Sequence, residues 1–195
     1  MSKERITKTF AEELGQSLGG CATELTIGGY YREAAHRARA RLNPIPFLGM
    51  KKKRRFQILW SCCLEAVALW TAVRLVPELT QNERLSAKTL FQMQSYNNSV
   101  LSAAFLPYFN AEEMNGFARI RKAFVRLSEK DGVEKEDFAR ELLAHIHETT
   151  PEAVDSQLVT AMASELGLAV NVFQKMINIH LEKLGANQDR AANES

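Results

Sequence analysis

The chain has 195 residues, 46% hydrophobic and 25% charged, with a net charge of +2. That length buries a sizeable core without disulfides or metals, and the composition is that of an ordinary globular protein. A total charge this small gives no argument for a polyanionic partner; only its distribution does. Residues 32–55 carry nine cations against the single acid Glu33, a local charge of +8 that leaves −6 for the rest. The three cysteines are Cys21, Cys62 and Cys63. An odd number with a vicinal pair does not suit an ordinary disulfide within a helix, so all three are expected as small buried hydrophobes. Residues 1–18 are charged and amphipathic rather than signal-like, and a reducing, cytoplasmic setting is expected.

Period-two alternation of β-branched residues is absent, and helical spacing recurs throughout. A first helix carries Ile6, Phe10, Leu14 and Leu18 on one face, and Gly19-Gly20 reads as its stop. Residues 21–27 form a short helix broken by Gly28-Gly29. A second amphipathic helix covers 30–42, with Tyr31, Ala34, Ala38 and Leu42 as a thin apolar stripe. Arg32, His36 and Arg39 flank that stripe on one side, and Arg37 and Arg41 on the other. Asn43-Pro44-Ile45-Pro46 sets an extended connector, because the residue before each proline is pushed out of the α region.

Lys51, Lys52, Lys53, Arg54 and Arg55 then run directly into the most apolar stretch of the chain. Its length suits a membrane span, but Gln57, Ser61 and Glu65 recur every four residues along it. A carboxylate near a bilayer midplane costs about 2.5–3.5 kcal/mol. The stretch is therefore expected as a buried central helix, about 56–76. Leu59, Cys62, Ala66, Trp70 and Val73 should face the core, and the polar line should mark its outer side.

Thr80-Gln81-Asn82-Glu83 reads as a capping box that opens a helix, and Asn97-Asn98 as a break. A short apolar helix ending at Pro107 follows. Asn110 with Glu113 is a second capping box, opening a helix to about residue 130. Phe117, Ile120, Phe124 and Leu127 form its core face. Arg119, Lys122, Arg126 and Lys130 gather in a sector of about 80° on the opposite face. Asp131-Gly132 turns into a helix over 134–148. Thr150-Pro151 starts another, with Val154, Leu158, Met162 and Leu166 repeating up to Gly167. A last helix covers about 169–184. The fold class is thus all-α: a single-domain bundle of about eight helices over 1–185, with a polar tail at 186–195.

No chemistry-bearing motif emerges. The Gly-Gly pairs follow no strand and match no phosphate loop. His145 and His147 are two apart and diverge by about 200° on a helix, and Cys62-Cys63 are adjacent, so no zinc set forms. The paired acids Glu112/Glu113 and Glu136/Asp137 sit at helix starts, where the dipole accounts for them. Glu65 stands apart as a lone acid on the most buried helix, to be satisfied by an arginine or a cap; a functional acid is the alternative. No cofactor and no metal are expected, and the chain reads as non-enzymatic.

Residues 128–138, SEKDGVEKEDF, resemble the second half of an EF-hand loop, without the earlier acidic positions that bind calcium. They also resemble the Asp-Gly turn of the tellurite-resistance-type helical domain, with shortened spacing after Gly132. The order of basic N-terminal half, buried helix and Arg-rich helix is similar to the small helical subunit of CRISPR surveillance complexes. None of these resemblances carries a functional residue across. The basic block, flanked by Tyr30, Tyr31, Phe47 and Phe56, suits contact with a nucleic-acid backbone, with the four cations at 119–130 as a second part of the same face. An acidic protein partner suits it too, and a membrane surface less well.

Overall fold

A single apolar helix, α2 (Met50–Leu75), runs through the middle of the protein. The computed structural model describes residues 8–27 and 50–193, with side chains at 8–27, 54–100, 102 and 107–185. Every side chain from 58 to 72 is buried. Among the described residues α2 alone has the length and apolarity to cross a membrane. Yet 89% of the 18-residue apolar window within Arg54–Leu75 is buried inside the protein, so neighbouring helices cover its apolar surface.

The helices around it are α1 (Lys8–Ile27), the short α3 (Pro77–Gln81), α4 (Glu83–Phe105), α5 (Ala111–Ser128), α6 (Lys135–His147) and α7 (Ser156–Asn193). Turns of 3-10 helix precede α5 (Leu106–Tyr108) and α7 (Pro151–Ala153), and the described residues contain no strand. The all-α bundle around a buried central helix is therefore the observed architecture, with seven described α-helices. One core joins them, reaching from Leu14 and Leu18 of α1 through α2 to Met93, Phe124, Phe138 and Phe173. The expected helix over 30–42 and its proline connector lie outside the described residues.

Side-chain pairs fix the helix directions. Arg54 lies over Tyr108 at 5.3 Å and Trp70 donates its indole N–H to Val133 O at 3.1 Å, so α2 and α5 run parallel. Arg55 reaches His145 O (3.2 Å), at the far end of α6, which therefore runs antiparallel to α2. Glu12 with Lys88 (2.9 Å) and Thr23 with Asn97 make α1 and α4 parallel.

Several sequence boundaries shift, each for a packing reason. α1 does not stop at Gly19-Gly20. Gly15 and Gly19, one turn apart, are where it presses on α4. A Cβ at Gly15 would sit 2.4 Å from Thr89 O, and one at Gly19 2.8 Å from Met93 O. The helix then continues to bury Ala22 and Leu25. α2 ends before Val76, whose backbone leaves the α region (φ −124°, ψ 86°), the region that the following Pro77 disfavours for it. Pro77 opens α3 rather than merely closing α2. The cap of α4 is Asn82, not Thr80: its Oδ1 accepts from the N–H groups of Arg84 (3.1 Å) and Leu85 (3.3 Å), while the Thr80 hydroxyl bonds to Val73 O (2.9 Å). α4 passes unbroken through Asn97-Asn98. Asn97 is fully buried and bonds to other helices, so its side chain does not compete for its own backbone.

The Asn110–Glu113 capping box is present as expected, with bonds of 2.9 and 3.0 Å. The Asp131-Gly132 turn uses Gly132 in the left-handed region (φ 71°). Pro151 opens only a 3-10 turn, and Asp155 caps α7 by accepting from Gln157 and Leu158. α7 then runs through Gly167 as one helix. Leu166, Ala169, Phe173 and Ile177 are all buried, which outweighs the cost of about 1 kcal/mol for a helical glycine. The helix also continues past Gly185 through the expected tail, as far as Asn193.

The two kinds of glycine make opposite predictions. Gly15→Ala should destabilise by about 1–3 kcal/mol, because the methyl has no room against α4 and that outweighs the gain in helix propensity. Gly116→Ala, in α5 with open space around it, should stabilise by about 0.5–1 kcal/mol. Urea midpoints of both variants check this; equal shifts in one direction would refute the packing account of Gly15.

Candidate functional site

The polar line of α2 does not face outward. Ser61 is 1% and Glu65 0% exposed. Both face a polar cluster assembled from four helices. Asn97 of α4 donates its amide to Glu65 Oε1 at 2.6 Å and lies 3.4 Å from the Ser61 hydroxyl. Thr23 of α1 donates its hydroxyl to Asn97 Oδ1. Arg121 of α5 completes the set. Its Nε lies 3.0 Å from Glu65 Oε2 and one terminal nitrogen 3.3 Å from Oε1, while the other bonds to Asn98 Oδ1 at the surface (3.0 Å). The cluster thus runs from a fully buried threonine-asparagine pair to a partly exposed arginine.

Its electrostatics follow from that placement. Burial pushes the Glu65 carboxyl above its ordinary value, and the Arg121 charge and the Asn97 and Gln94 amides pull it back part of the way. For Arg121, burial is the largest effect and disfavours the charge, but the adjacent Glu65 and Cys62 together more than offset it, so the guanidinium stays protonated. A lone acid met by an arginine is the expected structural outcome for Glu65. Since the carboxylate has no exposed surface, a substrate in solution does not reach it. The thiols are likewise unsuited to nucleophilic chemistry. Burial raises Cys62 to about 11 and Cys63 well above its ordinary value, so both stay protonated. Cys62 and Cys63 are buried small side chains as expected, whereas Cys21 is half-buried.

The basic residues fall into three groups by position, 32–41, 51–55 and 119–130. Arg32, His36, Arg37, Arg39 and Arg41 lie outside the described residues. Lys51, Lys52 and Lys53 lie on the first turns of α2, where only the backbone is described. Arg54 and Arg55 are half-buried and engaged with the body. Arg54 bonds to Gln57 (3.0 Å) and covers Tyr108; Arg55 bonds to His145 O and pairs with Glu148 at 3.0 Å. They anchor the start of α2 as much as they display charge. The third group, Arg119, Lys122, Arg126 and Lys130, is exposed on the outer side of α5 and just beyond its end. Among the described residues Arg119, Lys122 and Arg126 have no carboxylate partner. Lys130 lies near enough to Glu141 to help lower that carboxyl, after the larger effect of the His145 bond.

The start of α2 and the start of α5 meet at one end of the bundle, where Arg54 lies over Tyr108. Arg119 follows Ala111, the first residue of α5, by eight positions, about 12 Å along the helix axis. The inner side of the same helix is held by Phe117, Phe124 and Arg121. The described residues contain no group of three or more acidic, histidine or cysteine side chains placed to hold a metal. No family model, curated protein or solved structure matches the chain.

Arg121→Met should cost about 3–5 kcal/mol, since it leaves Glu65 buried without a counter-charge, and adding Glu65→Gln should recover most of it. The pH dependence has a definite sign. A carboxyl whose folded value lies above its unfolded one contributes fully below the unfolded value, and the contribution is lost as pH rises through the folded one. Arg121→Met removes the charge that holds the Glu65 value down, so the loss should extend to higher pH than in the wild type. Urea midpoints at about pH 5 and about pH 8 should show the variant's deficit growing with pH; a constant deficit would contradict the pairing.

Proposed function

We propose that the protein is a non-catalytic, cytoplasmic helical binding protein that contacts a nucleic-acid backbone, as a small subunit of a larger nucleoprotein complex. The observation that carries this reading is the row of exposed cations Arg119, Lys122 and Arg126, extended by Lys130, on a helix locked from within by Arg121. A rigid helix with unpaired cations on its outer side suits phosphate contacts, which give affinity and orientation without reading sequence. The polybasic start of α2 lies at the end of the bundle where α5 begins, and the basic residues at 32–41 precede it in the chain.

An adaptor that docks an acidic protein partner on the same cations is the second reading. Phe91, 60% exposed on α4, favours it, because a large exposed aromatic is a common anchor at protein interfaces.

Anisotropy titrations with single- and double-stranded DNA and RNA separate the two. Under the first reading, binding appears at low salt and weakens steeply between about 50 and about 200 mM. The combined Arg119→Gln, Lys122→Gln and Arg126→Gln variant should lower the slope of log K against log salt on duplex by about 2.7, if all three contact phosphates. Absence of binding at low salt, or binding indifferent to salt, would overturn it. A partner pulled down by the wild type after nuclease treatment and lost in this variant would favour the adaptor.

A further inference from the structure

α4 and α5 both lie on α2 and are bridged across it by the Asn98–Arg121 bond. Towards the C-terminal end of α2 they stand on either side of a cleft of about 760 Å³. The last turns of α2 form its floor, α3 and the first turns of α4 one wall, and the α5–α6 turn the other. Its size falls within the range of about 300–1,000 Å³ usual for small-molecule sites.

The floor is apolar: Leu69, Trp70, Val73, Leu79 and Leu90. Trp70 is held in place. Its indole N–H bonds to Val133 O, and the Arg74 guanidinium covers its ring at 4.2 Å. The rim is charged, but its charges are unequally matched. Arg74 is paired with Glu134 at 3.1 Å, and Lys130 lies near Glu141, both carboxylates outside the cleft. The rim acids Glu83, Glu129 and Asp131 are exposed and have no ion pair among the described residues. An apolar floor under a rim with a surplus of negative charge is complementary to one kind of ligand.

We propose that this cleft binds an amphipathic organic cation: a compact aromatic or aliphatic body bearing an ammonium group. The body lies on Leu69, Val73 and Leu90, and the ammonium faces Glu83, Glu129 and Asp131. Burial of the body supplies most of the affinity, and the rim supplies the preference for positive charge. The site lies at the opposite end of α2 from Lys51–Arg55; it shares only Lys130 with the cations proposed to contact phosphate, and none of the acids that face the ammonium.

The two tryptophans provide the assay. Trp70 lines the cleft, whereas Trp60 is fully buried one helical segment away with its indole N–H on Leu25 O. The full chain is titrated with phenylbutylamine, phenylbutanol and phenylbutyrate while the two indole N–H resonances are followed; a Trp70→Phe variant assigns them. The expected result is a saturable shift of the Trp70 signal, with the Trp60 signal still and the amine binding tightest and the carboxylate weakest. The Glu83→Gln, Glu129→Gln, Asp131→Asn variant alters only exposed side chains. It should weaken the amine by about tenfold and leave the alcohol unchanged. No saturable Trp70 shift, an amine no tighter than the carboxylate, or a variant that binds the amine unchanged would each overturn the proposal. Binding here with no affinity for nucleic acid would refute the reading of the basic residues alone.

Discussion

The protein is built on one buried charge. Glu65 sits in the middle of the central helix with no exposed surface, and an isolated carboxylate there would be severely penalised. Its counter-charge comes from α5 and its amide donor from α4, and that donor is oriented in turn by a hydroxyl from α1. A slide of any of these helices by one turn, about 5.4 Å, would separate the partners. Apolar packing tolerates approximate registers; this cluster does not. It therefore sets how four helices align, while the leucines and aromatics around it supply the bulk of the stabilisation.

The legible part of the fold was the part governed by periodicity. Helical spacing without strand alternation gives the all-α class. The apolar run ahead of Pro77 gives the central helix, and the Asn110 box marks the start of α5. Local stop signals misled wherever tertiary contacts employed the same residues. Glycine at 15 and 19 permits close approach of α4, and glycine at 167 is carried by buried neighbours on both sides. Asn97 reads as a turn residue by type, yet it is one turn beyond buried Met93 on the same side of α4.

The polar line of α2 was visible, but which way it faced was not, because one helix alone does not say which of its sides meets a partner with matching groups. A signal existed in α5. Arg121 lies between Phe117 and Phe124 in sequence, on the apolar side of that helix, about 100° from Lys122 and about 140–180° from Arg119, Arg126 and Lys130. A cation in an apolar sector and a lone acid on the core helix are two halves of one observation. The exposed cations were legible from the wheel alone, since nothing else claims that side. The cleft was not legible, because it arises from where three connections leave the end of α2 uncovered.

Each side of α5 thus has a separate electrostatic role. Its inner arginine is consumed by the core, and its outer cations stay exposed. Arg121 is one position from Lys122 and two from Arg119 in sequence, yet about 100° and about 160° from them around the helix. Replacing the outer cations therefore changes the surface field with little effect on the packing that orients the helix.

The close fit of α1 on α4 bears on how the chain assembles. The two helices are parallel, and their paired residues are separated by 74 positions at Thr23 and Asn97. A parallel pair cannot close as a hairpin; the chain must first cross back, here through α2. During synthesis α1 is complete early, yet the backbone surface that receives Gly15 and Gly19 does not exist until α4 has been made. By contrast, α5 and α6 are joined by a short turn and meet through local contacts. Chain entropy therefore sets the close fit of α1 apart from the order of synthesis: α1 is made before α4, yet it seats against α4 only once that helix is in place.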